Sequence, residues 1–161
     1  LFEVRNAGGA AAAATSLSLY TVAGCAAGFL FGKIFQFAQR WCLTIGYALC
    51  GTGALLVYMG NSAIVMTIGL MMLGFGFSII MPTFFAWTGI STPPSTVAFA
   101  TSILMALMNL GGFASSFWLK LLNAVAGESI YSAILVEIVV FFAIAVGFVF
   151  YNPFKSKGKT T

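Results

Sequence analysis

The sequence holds few side chains that could carry acid–base or metal chemistry. It contains no histidine, and its only carboxylates are Glu3, Glu128 and Glu137. Most hydrolytic triads, zinc sites and paired-carboxylate mechanisms depend on histidine or on closely spaced carboxylates. We therefore expect that the protein is not an enzyme and that it holds no metal ion or other cofactor.

Glu137 is unusual because it lies within a long apolar stretch. A charged residue at the centre of a bilayer costs roughly 3 kcal/mol on insertion scales, so this carboxyl should be neutral, paired or in contact with water. One hypothesis is that Glu137 couples transport to protons. The alternative is a neutral glutamic acid that is hydrogen-bonded to an adjacent helix, since no basic residue is evident at its depth.

A second polar group at membrane depth is the amide of Asn109. At helical spacing it belongs to a stripe of polar, small or adaptable residues, which are Thr101, Met105, Asn109, Gly112 and Ser116. Such a stripe is typical of a helix that lines a solvated substrate pathway. The alternative is an interhelical hydrogen bond through Asn109, worth on the order of 1 kcal/mol. Ser78, close to Pro82, is a weaker candidate for the same pathway.

The elements that carry these residues follow from the composition. Of 161 residues, 61% are hydrophobic and 6% are charged, whereas soluble domains have roughly 45–50% and about 25%. The apolar runs are continuous, which excludes the alternating strands of a β-barrel. We predict an all-α, polytopic membrane helix bundle, a single membrane domain over residues 1–161. About five transmembrane helices are expected, over roughly 10–31, 41–59, 63–87, 96–119 and 129–151.

The lysines and arginines predict the orientation of these spans. One side of the membrane would carry Lys33, Arg40, Lys155, Lys157 and Lys159, and the other would carry Arg5 and Lys120. Because cytoplasmic loops are enriched in basic residues, the basic tail at 152–161 is expected in the cytoplasm of a multi-pass plasma-membrane protein. The net charge of +4 does not form the aromatic-interleaved basic patch of a nucleic-acid-binding surface, so the bilayer is the expected partner.

Glycines recur along two of the predicted spans. Gly24, Gly28 and Gly32 are spaced by four residues and share one face of the first helix. Gly111 and Gly112 form a similar surface of small residues on the fourth. Small residues let neighbouring helices approach closely in lipid. These faces are therefore expected to serve in helix packing or in gating movements, and the sequence does not distinguish the two.

The order of these features resembles the C-terminal half of a major facilitator superfamily transporter. The first span, its Gly28 and Lys33, and the nearby Arg40 are similar to the eighth helix and the cytoplasmic loop motif that follows it. Gly32 stands where that motif has an aspartate. The third span is similar to the tenth helix, the Pro93-Pro94 loop with Asn109 to the eleventh, and the last span with its basic tail to the twelfth.

The resemblance implies a twelve-helix transporter that works by alternating access. The first, third and fourth spans would then border the cavity, which favours Asn109 over Glu137 as a substrate contact. Because the chain begins at Leu1 without an initiator methionine, we expect a fragment, inactive alone, whose partners are the N-terminal half and a small-molecule substrate, with protons as a candidate coupling ion. The alternative is a complete five-span interaction or assembly protein that packs through its glycine faces.

Overall fold

The computed structural model describes Phe2 and residues 8–126 and 130–151, and it confirms the all-α fold class. Five helices follow one another along these described residues. They are α1 (Gly9–Ala38), α2 (Cys42–Met59), α3 (Ala63–Ser91), α4 (Val97–Ala126) and α5 (Ile130–Phe150). All five are long and apolar enough to cross a membrane. The predicted tail at 152–161 lies outside the described residues.

Aromatic side chains pair near both ends of the bundle. Tyr58 and Tyr131 meet edge to face, with ring centroids 6.1 Å apart, where α2 ends and α5 begins. Trp87 and Tyr151 meet in the same way at the opposite end, at 6.5 Å. Tryptophan and tyrosine favour the two interfaces between membrane and water, so their placement agrees with helices that cross a bilayer.

The bundle is organised around α3. This helix packs along α1 on one side and along α2 on the other, and α2 also packs along α5. In contrast, among the described residues α4 contacts only α3 and α5, and much less extensively. No residue of its apolar portion, Val97–Trp118, is buried in the part of the fold that the structure describes.

Three helices extend beyond the predicted spans, among them α4, which was expected to end near residue 119 but runs to Ala126. The first was expected to end near residue 31, but α1 continues through Lys33 to Ala38, because a helix can outlast its apolar stretch and enter the headgroup region. The turn between α1 and α2 is therefore short. Similarly, α3 runs to Ser91. The prolines restrict only the residue that directly precedes them, and Thr92 is extended with φ −109° and ψ 141°.

The interface between α2 and α3 is built on two reciprocal glycine pairs. Gly53 faces Gly69, and one heptad away Gly46 faces Gly76. A Cβ added to either member of the first pair would lie 2.6 Å from the carbonyl oxygen of the other, well inside van der Waals contact. The two backbones thus touch, which glycine alone permits. These pairs were not predicted from the sequence.

The interface between α1 and α3 combines a close approach with a hydrogen bond. A Cβ on Gly74 would overlap the carbonyl oxygen of Tyr20. Nearer the start of both helices, the hydroxyl oxygens of Ser16 and Thr67 lie 2.6 Å apart. Ser16 is only 2% exposed, so its hydroxyl is satisfied inside the protein, as a polar group at membrane depth must be.

Candidate functional site

The polar stripe of α4 is displayed on an unpacked helix. Thr101 is half-buried, while Met105, Asn109, Gly112 and Ser116 are all exposed. The Thr101 hydroxyl donates to the carbonyl of Val97 at 2.8 Å and so has its own partner within the helix. The stripe therefore lies open from Met105 to Ser116, and the described residues place no other helix against that part of it.

Asn109 is the member of this stripe with unmet hydrogen-bonding capacity. It lies twelve residues from the start of α4 at Val97, about 18 Å along the axis and near the middle of the span. Its side-chain amide has two donor hydrogens and one acceptor oxygen. Within residues 8–126 and 130–151, no side chain or backbone group is hydrogen-bonded to it. An exposed amide at this depth requires either water or a polar partner.

A second stripe, which the sequence analysis did not identify as a unit, follows the exposed face of α1. Its members recur at alternating intervals of three and four residues, and they are Ser18, Thr21, Cys25, Gly28 and Gly32. All five are exposed. The Ser18 hydroxyl donates to Ala14 and that of Thr21 to Leu17, both at 3.1 Å. The heptad spacing of small and polar residues was the signal that would have revealed this stripe.

The structure separates the three glycines that were grouped on α1. A Cβ on Gly24 would lie 2.8 Å from the Ser78 hydroxyl and 3.5 Å from the Gly74 carbonyl, so Gly24 belongs to the α1–α3 contact. By contrast, a Cβ on Gly28 or Gly32 would meet no described atom within 4 Å. Helix packing through Gly24 is thus visible, whereas for the other two it stays a prediction.

Gly111 and Gly112 of α4 resemble Gly28 and Gly32 of α1, because none of the four has a described atom within 4 Å of an added Cβ. Around Gly111 and Gly112, the described part of the chain leaves space for a Cβ. Ser78, which was grouped with the pathway, is half-buried against Gly24 rather than on an open face. The gating and pathway roles of these residues stay predictions.

Glu137 is exposed on α5. Its carboxyl lies close enough to the Cys50 thiol to interact with it electrostatically. Among the residues that the structure describes, it forms no ion pair and no hydrogen bond, so the helix-to-helix hydrogen bond considered for it is not seen there. Proton coupling through Glu137 stays a hypothesis.

The residues of the expected cytoplasmic loop motif lie mostly in a helix. Gly28 and Lys33 are both within α1, and Lys33 is exposed near its end. Arg40 is in the turn that follows, where its guanidinium lies 4.8 Å from the centroid of the Trp41 ring. This cation–π contact is suited to a membrane interface.

The cysteines do not form a chemical centre. Cys42 and Cys50 are buried in α2, whereas Cys25 is exposed on α1. The Cys42 thiol points toward the carbonyl of Ile34 at 3.9 Å, and that of Cys50 toward Leu73 at 3.7 Å. Over the described ranges, no group of three potential metal ligands comes together.

Comparison with known proteins does not assign a family. No family model matches the sequence, and neither a curated protein nor a solved structure is significantly similar to it. The resemblance to the major facilitator superfamily therefore stays a prediction.

Proposed function

We propose that this chain is part of a secondary transporter of the major facilitator type, which moves a small solute along a path bordered by the open faces of α1 and α4. The observation that carries the proposal is Asn109. Its amide is exposed near the middle of a membrane span, and the described residues offer it no partner. A solute or water in an aqueous path would supply the hydrogen bonds that lipid cannot.

The helix arrangement supports this choice of path. Because α3 is packed between α1 and α2 and its large exposed side chains are apolar, and because α2 is further packed against α5, the open polar faces belong to α1 and α4. The remaining helices of such a transporter would face these two stripes and complete the path. In this proposal the chain resides in the plasma membrane with its C-terminus in the cytoplasm, and protons are the candidate coupling ion.

Accessibility of introduced cysteines tests the path directly. In a Cys25→Ser background, Asn109→Cys is compared with Leu107→Cys in native membrane vesicles, using a charged thiosulfonate reagent that does not cross lipid. Leu107 is a matched control because it is 60% exposed and lies on the opposite side of α4 at nearly the same depth. The reagent attacks only the thiolate, which forms in water and not in lipid.

We expect Asn109→Cys to react at least about tenfold faster than Leu107→Cys, because a path exposes it to water. Equal, slow reaction at both positions would overturn the proposal. It would favour the alternative that the chain is an interaction protein, in which another helix covers the stripe. The open surroundings of Gly28, Gly32, Gly111 and Gly112 are the observation that supports that second function.

A further inference from the structure

A groove runs between the first turns of α1 and α3, away from both polar stripes. Its volume is approximately 380 Å³, within the range of ligand pockets in proteins. The groove is lined by Ala12, Thr15, Ser16, Leu19, Ala63, Ile64, Thr67 and Ile68. Since α1 and α3 are separated by a single crossing of the bilayer, both helices begin on the same side, and the groove opens within the leaflet there.

The hydroxyl groups of the groove are already satisfied by the protein. Thr15 donates to the carbonyl of Ala11 at 3.0 Å. Ser16 and Thr67 have one hydroxyl proton each, and the acceptors within reach are the carbonyl of Ala12 at 2.8 Å, the carbonyl of Ala63 at 2.7 Å and each other's oxygen at 2.6 Å, so one hydroxyl donates to its own helix and the other donates across the interface. Every hydroxyl proton in the groove thus has an acceptor within the protein. A ligand that needs hydrogen-bond donors would therefore find none free in the groove.

The rest of the lining is hydrocarbon. Ile64 is 73% exposed and Ile68 is 48% exposed, and both belong to α3 within a candidate membrane span. Beside the groove, Phe2 and Met66 form a buried apolar cluster, against which Ala12 and Ala63 pack. This end of the bundle thus already accepts an apolar side chain between the helices.

We propose that this groove holds one acyl chain of a membrane lipid as a bound ligand, independently of the lipid's headgroup. The candidate spans place the groove in lipid, its lining is apolar, and its few polar atoms are paired internally. Along α1 the lining extends from Ala12 to Leu19, about 10 Å at 1.5 Å per residue. That length fits within one leaflet of a hydrocarbon core of about 30 Å, so a chain can enter it from the surrounding bilayer.

Lipid retention measured by native mass spectrometry tests the proposal. The full chain is purified in detergent, and dioleoylphosphatidylcholine or dioleoylglycerol is added back at equal concentrations. These two lipids have the same acyl chains, and only the first has a phosphate headgroup. We expect one tightly retained molecule in both cases. Retention of the phospholipid alone would show that the headgroup is recognised, and would overturn the proposal.

Two tryptophan substitutions locate the bound lipid. Thr15→Trp fills the groove from an exposed position, and Ala14→Trp adds the same side chain at the adjacent, exposed position that does not line it. We expect Thr15→Trp to lower lipid retention about tenfold, because excluding about two methylene groups of the acyl chain from the groove weakens binding by about that factor. Ala14→Trp should leave retention unchanged.

The fold of each variant is checked by its thermal unfolding, and Ala63→Leu fills the same groove from α3 if Thr15→Trp unfolds. Undiminished retention in the folded groove-filling variants would overturn the proposal. So would an equal loss of lipid in Ala14→Trp, because the lipid would then bind elsewhere on α1.

Discussion

Replacement of Gly53 by alanine tests whether backbone contact holds α2 against α3. The added methyl group would lie 2.6 Å from the carbonyl oxygen of Gly69 and 2.9 Å from the backbone nitrogen of Leu73. Both atoms are backbone, so no side-chain rotation relieves the overlap. The helices must separate instead.

The size of the effect follows from that separation. To restore a 3.4 Å contact from 2.6 Å, the backbones must move apart by about 0.8 Å, and such a gap forfeits a quarter to a half of the dispersion energy of the affected atom pairs. Overpacking of this kind costs about 1–3 kcal/mol. The greater helix propensity of alanine offsets up to about 1 kcal/mol. We therefore expect Gly53→Ala to lower the free energy of unfolding by about 1–2 kcal/mol.

Gly28→Ala is the matched control. It makes the same chemical change within a helix, but its methyl group meets no described atom within 4 Å. We expect this variant to be at least as stable as the parent protein, because the greater helix propensity of alanine is not opposed by any overlap there. The free energy of unfolding is measured by titration of SDS into mild detergent micelles, with helix content followed by circular dichroism. Equal stability of Gly53→Ala and Gly28→Ala would refute the assignment of the α2–α3 contact.

Two further predictions concern the other helix contacts. In the same assay, Ser16→Ala and Thr67→Ala should each lower the free energy of unfolding by about 0.5–1.5 kcal/mol. The double variant should lower it by less than the sum, because the two hydroxyl oxygens, 2.6 Å apart, interact directly. Strict additivity of the two losses would exclude that interaction. Gly51→Ala should be mildly destabilising because its Cβ would lie 3.1 Å from the Phe142 ring, and adding Phe142→Leu should relieve that crowding. If the double variant Gly51→Ala, Phe142→Leu is no more stable than Gly51→Ala alone, the contact between these two residues is contradicted.

The helices and their number could be predicted from the sequence. Long continuous apolar stretches have few stable alternatives in lipid, because every backbone polar group must be satisfied within its own segment. The helix ends were less well predicted. Three helices continue beyond the ends expected for them, α1 to Ala38, α3 to Ser91 and α4 to Ala126, since helix ends depend on local backbone geometry and not on hydropathy alone.

The candidate site was predicted only in part. Asn109 was recognisable because an amide in an apolar stretch is costly wherever the helix faces. The sequence did not reveal that the matching stripe on α1 includes Cys25, or that Gly24 faces α3 while Gly28 and Gly32 remain open.

What the sequence determined and what the tertiary structure decided differ for a physical reason. The sequence by itself determined that the chain forms membrane helices and which polar groups they carry, because transfer into lipid depends on each segment separately. Only the tertiary structure decided which face of each helix is covered. Glycine is equally compatible with an open face and with a backbone contact, and only the neighbouring helix distinguishes Gly53, pressed against Gly69, from Gly28, which has space around it.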